Sequence, residues 1–81
     1  MDYVDAAVRV LEEQEKALHW TVIQDIALQR GYLDPFTQKD IRKHLLAALS
    51  KEARRPDGKI VKADRGVYAL RPSADRGPRT G

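Results

Sequence analysis

The amino-acid sequence predicts an α+β fold in the order helix, short strand, helix, helix, strand, strand. Three observations carry that prediction. Apolar residues recur with helical spacing in three stretches before residue 55. The alternation then switches to the two-residue period of strands. The clusters Asp34-Pro35-Phe36 and Arg55-Pro56-Asp57-Gly58 punctuate the pattern. At 81 residues there is room for one small domain with a marginal core. We expect that domain over residues 1–70 and a disordered tail or linker over 71–81.

The first helix is expected over Tyr3 to Gln14. Val4, Ala7, Val8 and Leu11 draw one apolar stripe at i, i+3, i+4 and i+7. Asp2 can cap its start, and Asp5 places negative charge at the positive end of the helix dipole. Glu12-Glu13-Gln14-Glu15 reads as a solvated face near its end. The run Ala17-Leu18-His19-Trp20 then reads as an extended connector or a short strand.

A second helix is expected from Thr21, which with Gln24 forms a capping box. Val22, Ile23, Ile26 and Ala27 supply its buried face. Gly31 stands where a left-handed residue closes a helix, and Tyr32-Leu33 follow with a hydrophobic stop. Proline restricts the residue before it, so Asp34-Pro35-Phe36 is a connector. A third helix is expected from Thr37, paired with Asp40 in a second box-like start, to about Ala53 or Arg54. Ile41, Leu45, Ala48 and Leu49 form its apolar stripe. Beyond the turn, Lys59–Ala63 and Val67–Leu70 read as two strands around a three-residue loop, with Gly66 supplying positive φ. Three helices with a C-terminal hairpin are the winged helix-turn-helix plan, with the stretch around Leu18-His19-Trp20 joining the hairpin as a third strand. From Arg71 onward no apolar residue exceeds alanine, too little to offset the entropy of ordering.

Composition narrows the chemistry. The chain has no cysteine, which excludes disulfide staples, a thiol nucleophile and thiolate zinc sites. Its two histidines, His19 and His44, show no metal-ligand spacing with each other or with carboxylates. No apolar run approaches the length of a membrane span, and an acidic start does not suit a signal peptide. No Gly-rich phosphate loop, Ser-His-Asp set or paired carboxylates appear, so no enzyme activity, cofactor or small-molecule substrate is expected. A binding module of an intracellular protein fits best.

The formal net charge of +3 conceals an uneven distribution. Residues 1–34 carry three basic and seven acidic side chains, net −4, whereas residues 35–81 carry twelve basic and five acidic, net +7. Such asymmetry points to an anionic partner.

The sequence also resembles a known family. Ala7-x3-Leu11, Leu18-His19-Trp20 entering a helix with Ile23 and Ile26, Arg30-Gly31-Tyr32-Leu33, and the ending Ile60-Val61-Lys62-Ala63-Asp64-Arg65-Gly66-Val67-Tyr68-Ala69-Leu70 are together similar to the HARE-type helix-turn-helix domain. The resemblance covers about residues 2–70. It implies a winged-helix module, commonly fused to other domains in restriction-type nucleases, in the delta subunit of bacterial RNA polymerase and in chromatin proteins. It further implies double-stranded DNA as the partner in many members, and protein docking, as in the polymerase subunit, as the alternative. The location would be cytoplasmic and nucleoid-associated in a bacterium, nuclear in a eukaryote. The sequence departs from a typical member in its Asp34-Pro35-Phe36 linker and its basic third helix, and the second departure favours the DNA-binding branch.

In a winged helix the third helix enters the major groove and its early turns approach base edges. With Ile41, Leu45 and Leu49 facing inward, Lys39, Lys43, Ser50 and Arg54 fall on the opposite side, with Arg42 and Lys51 on the flanks. The expected contact set is Thr37, Gln38, Lys39, Arg42, Lys43 and Arg54 from the helix, and Lys59, Lys62 and Arg65 from the wing. Arg42 suits bidentate reading of guanine and Gln38 pairing with adenine, while Lys39 and Lys43 suit phosphates. Trp20 is expected to act as a hydrophobic staple or sheet anchor and Tyr68 to pack in the core.

Overall fold

Six elements form in the expected order in the computed structural model, which describes residues 1–72: α1 (Tyr3–Gln14), β1 (Leu18–His19), α2 (Trp20–Gln29), α3 (Ile41–Arg54), β2 (Ile60–Asp64) and β3 (Val67–Leu70). The sheet is antiparallel with order β1-β3-β2, so the hairpin is joined by the short strand between the first two helices. The disordered tail expected after residue 70 lies, from residue 73, outside the described residues. The core sits where the three helices meet one face of this sheet. Its largest fully buried side chains are Leu11, Ile23, Leu33, Leu45, Leu49 and Ile60, with Val10 beside them.

α1 begins as expected, with the Asp2 carboxylate accepting from the Tyr3 N–H at 2.8 Å. Its buried stripe is rotated from the expected one. Ala7 and Leu11 are buried, but Ala6 and Val10 join them while Val4 and Val8 are only half-buried. The reason is that α1 packs against both α2 and α3, and small Ala6 and Ala7 let those neighbours approach.

α2 starts earlier than Thr21. His19 is the N-cap: its Nδ1 accepts from the Thr21 N–H at 3.3 Å and lies 2.9 Å from Thr21 Oγ1. The Trp20 N–H is taken by the Gly66 carbonyl at 2.9 Å. With the Thr21 N–H occupied by the imidazole, the expected Thr21–Gln24 box has no role. Gln24 turns inward instead, leaving its Oε1 buried without a partner among the described residues. The earlier start puts Trp20, Ile23 and Ala27 on the inner face and Val22 outside, 40% exposed. The C-terminus forms a Schellman motif around Gly31 at φ 76, with the Tyr32 N–H donating to the Ala27 carbonyl at 2.9 Å and the Gly31 N–H to that of Leu28 at 3.2 Å.

α3 begins at Ile41, not at Thr37. The Asp34 carbonyl accepts from the Thr37 and Gln38 N–H groups at 3.3 and 2.8 Å. The Asp34 side chain accepts from the Phe36 N–H at 2.9 Å, and Gln38 Oε1 accepts from the Asp34 N–H at 2.8 Å. These bonds close an independent turn, and Asp40, left-handed at φ 52, separates it from the helix without a side-chain cap. Thr37, Gln38 and Lys39 therefore precede α3 rather than form its first turn.

The exit from α3 is tightly built. Buried Glu52 accepts from the Lys59 N–H at 2.8 Å and pairs with Arg55 at 3.5 Å. From the other side Arg71 donates to the carbonyls of Gly58 at 2.5 Å and Arg55 at 2.8 Å. In the hairpin, β2 extends to Asp64, one residue beyond expectation. A bulge between Lys62 and Asp64 absorbs the extra residue, so Arg65-Gly66 form the connection in place of a three-residue loop.

These contacts generate two stability predictions. A Cβ at Gly58 would collide with the Glu52 carbonyl oxygen, a backbone atom held in the last turn of α3. Gly58→Ala is therefore expected to lower the urea-unfolding free energy by about 1–3 kcal/mol or more, the cost of overpacking a fixed site. Gln24→Met, which removes an unpaired buried oxygen at similar volume, is expected to leave the thermal midpoint unchanged or raise it. A fall of several degrees would show that the amide is satisfied in solution.

Candidate nucleic-acid interface

The side of the molecule that presents α3 and the β2–β3 hairpin is set by packing alone. Burial of Leu45, Leu49 and Glu52 fixes the rotation of α3 and turns Lys43, Ala47, Ser50 and Arg54 outward. Lys62 lies two residues beyond buried Ile60, on the same side of β2, and its partner on β3, Tyr68, is buried. Between helix and hairpin runs an open groove of about 410 Å³, lined by Ser50, Ala53, Arg54, Lys62 and Tyr68. Arg54 and Lys62 thus share one groove although they come from different elements. The Arg54 Nε donates to the Ser50 carbonyl at 3.4 Å, which folds the side chain along its own helix.

At the opposite end of this face, the Arg42 guanidinium lies over the Trp20 ring, 5.6 Å from its centroid. Trp20 is in turn bonded through its N–H to Gly66 at the wing's tip, so Arg42 stands close to the connection that carries Arg65. Gly66 is required there, since its φ is +71 and a Cβ would come within 2.8 Å of His19 Nε2.

The remaining expected contacts are placed differently. Lys43 is exposed on α3, and Lys39 is exposed in the preceding turn, its carbonyl 2.9 Å from His44 Nδ1. Thr37 is exposed in the same turn. Gln38 is committed at both ends of its amide, to the Asp34 N–H at 2.8 Å and to the Met1 carbonyl at 3.3 Å. Lys59 opens onto a second depression, shared with Asp2, Val4, Lys51 and Arg55, and not onto the Arg54–Lys62 groove.

Charge pairing separates the cations into two sets. Arg30 pairs with Glu13 at 3.2 Å, and Arg55 with Glu52 and Asp57, each at 3.5 Å. Among the described residues, Lys39, Arg42, Lys43, Arg54, Lys59, Lys62 and Arg65 have no carboxylate within salt-bridge distance, and neither do Arg9, Lys16, Lys51 and Arg71. Sequence reasoning places the first seven in the contact set but misses Trp20 as the platform for Arg42 and Ser50 and Tyr68 as groove walls. Only the tertiary approach of α2, α3 and the wing brings those together.

The comparison with known families agrees with this architecture. Residues 1–73 match the HARE-HTH family, whose description names the ASXL and restriction endonuclease HTH domain. The chain belongs to the HARE-HTH family. It is a winged helix-turn-helix domain of a generally DNA-binding, non-catalytic type. No curated protein and no solved structure matches the chain. Among the described residues, no helix is long and apolar enough to cross a membrane, and no group of three His, Asp or Glu side chains is placed to hold a metal ion.

The two roles of the 34–40 turn can be separated by substitution. Gln38→Ala, which leaves the Asp34 N–H without its acceptor, is expected to lower stability by about 0.5–1.5 kcal/mol in urea unfolding. Lys39→Ala, whose side chain bonds to nothing among the described residues, is expected to change it by less than about 0.5 kcal/mol.

Proposed function

We propose that this HARE-HTH domain reads double-stranded DNA as the N-terminal module of a larger protein of the restriction-nuclease or transcription-regulator type. α3 enters the major groove, and the β2–β3 wing rests on the backbone or the adjoining minor groove. The observation that carries this reading is the set of unpaired cations on α3, its leading turn and the wing, with Arg54 and Lys62 on either side of one groove. A phosphate strand passing between helix and wing meets both. Outward Ala47 and Ser50 leave room for α3 to approach the duplex, with Lys43 beside them on phosphate.

Arg42 is the residue suited to guanine, since a planar guanidinium can donate to O6 and N7 together. Lys39 and Arg65 supply phosphate contacts from the turn and the wing tip. Thr37 and Gln38 act through the turn they build, since the Gln38 amide already serves Asp34 and Met1 and has no edge left for adenine. Lys59, on the other side of the hairpin, adds long-range attraction more than contact.

Neutralising about six phosphates gives a steep salt dependence, with affinity falling about a thousandfold between 50 and 200 mM salt. Fluorescence polarisation with a labelled duplex at a series of salt concentrations tests this. Arg54→Ala and Lys62→Ala are each expected to reduce the slope of log K against log salt by about one. Arg30→Ala, which removes a cation already paired with Glu13, is expected to leave the slope unchanged. Absence of any polarisation change at micromolar protein and low salt would refute the DNA reading for the domain.

One observation favours a second reading, a winged helix that docks a protein such as RNA polymerase. Phe36 is 92% exposed at the apex of a turn held by the Asp34 and Gln38 hydrogen bonds. An uncovered aromatic ring on a hydrogen-bonded turn suits an apolar pocket on a partner. On this reading Phe36→Ala abolishes partner binding, while on the DNA reading it leaves the salt slope intact.

A further inference from the structure

The corner at which α2, α3 and the wing meet has a feature that the DNA reading leaves unused. Trp20 makes three contacts there that belong to three different elements. Its N–H donates to the Gly66 carbonyl at 2.9 Å, which fixes the wing's connection. Its ring packs partly on the core and stands 5.7 Å from the His19 imidazole, the cap of α2. Its outer face carries the Arg42 guanidinium at 5.6 Å. Among the described residues Arg42 has no carboxylate partner and its guanidinium makes no hydrogen bond, so the indole is its one specific contact.

A free arginine on a helix surface samples many rotamers, and ordering it on a ligand costs affinity. A cation–π contact with a ring narrows the positions open to the guanidinium and leaves its five N–H donors without a protein partner. Trp20 itself is anchored through its backbone N–H to the wing, so one residue touches both the Arg42 guanidinium and the wing tip. We infer that Trp20 is a positioning residue for nucleic-acid recognition, holding the Arg42 guanidinium over its indole while its backbone N–H ties the same corner to the wing tip. The inference rests on the proposed DNA reading and adds to it the residue that sets the geometry of the base-reading arginine.

The test combines a double-mutant cycle with the fluorescence of Trp20, the only tryptophan in the chain. Binding to a labelled guanine-containing duplex is measured for the wild type, Trp20→Phe, Trp20→Leu, Arg42→Ala and the Trp20→Leu/Arg42→Ala pair, with thermal midpoints recorded for each. Trp20→Leu is expected to weaken binding about three- to tenfold, the cost of ordering one side chain. Trp20→Phe, which keeps an aromatic face, is expected to restore most of that loss. The double variant is expected to bind no more weakly than Arg42→Ala alone, because without the guanidinium the indole has nothing to position. Independent, additive losses for Trp20→Leu and Arg42→Ala would overturn the inference while leaving the DNA reading in place.

Acrylamide quenching without DNA supplies a readout that does not depend on Trp20→Leu folding. Arg42→Ala uncovers one face of the ring and is expected to increase quenching of Trp20. Unchanged quenching means that the guanidinium–indole contact is not held in solution, which also overturns the inference. A wild type that binds no duplex removes the DNA reading itself and the positioning role with it.

Discussion

The pairing of β1 with β3 is the contact on which the rest of the architecture depends. β1 has only two residues, yet Leu18 pairs with Tyr68 and His19 with Val67, placing β3 at the centre of the sheet. A two-stranded hairpin is marginal by itself, and a third strand with a buried face gives it independent support. The same two residues also lead directly into α2. The position of the wing is thereby fixed to the start of the helix-turn-helix by covalent continuity as well as by hydrogen bonds. His19 serves both sides, pairing in the sheet and capping the helix, while Gly66 supplies the space its imidazole needs.

That shared start explains which parts of the fold are legible in the sequence. Local signals that no neighbour contests read true: the Asp2 cap, the Schellman glycine at 31, the stripe Leu45–Leu49 and the burial of Tyr68. The errors fall where a tertiary contact claims a group that a local motif also wants. Thr21 and Gln24 have the residues of a capping box, but His19 reaches the Thr21 N–H first because sheet pairing holds it there. Thr37 and Asp40 have the spacing of a helix start, but the Asp34 carbonyl captures the N–H groups of Thr37 and Gln38 into a separate turn. Asp40 then takes a left-handed conformation, which helix propensity gives no reason to expect.

The candidate site is legible to a different degree, for a related reason. Charge at a surface position needs no tertiary partner to be recognised, so helical spacing and strand alternation suffice to name the cations of α3 and the wing. Their grouping does not follow from the same signals. Arg54 and Lys62 face one groove, whereas Lys59, only three residues from Lys62, opens elsewhere. Lys59 precedes β2, in the turn that leaves α3, and only the packing of α3 on the hairpin decides which depression it borders. Trp20 reads in the sequence as a hydrophobic staple or sheet anchor, and its backbone N–H bonds to the Gly66 carbonyl at 2.9 Å. That it also carries Arg42 depends on the crossing of α2 and α3, which no local pattern encodes.

The arginines show how the fold divides its charges between structure and surface. Arg30 ties to Glu13, which also accepts a hydrogen bond from the Tyr32 hydroxyl, at the junction of α1 and α2. Arg55 and Arg71 hold the exit of α3, where Glu52 is buried and the carbonyls of Arg55 and Gly58 need donors. A buried carboxylate without such donors would be costly, so these cations cannot be released without destabilising the turn. The cations of α3 and the wing have the opposite character. Exposed and unpaired, they add little to stability, and within about 8 Å of one another at physiological salt they repel. Packing gives no reason for Arg54 and Lys62 to line one groove. On the proposed reading, a polyanion in the groove between helix and wing would remove the repulsion between these two and give each the partner that the protein withholds.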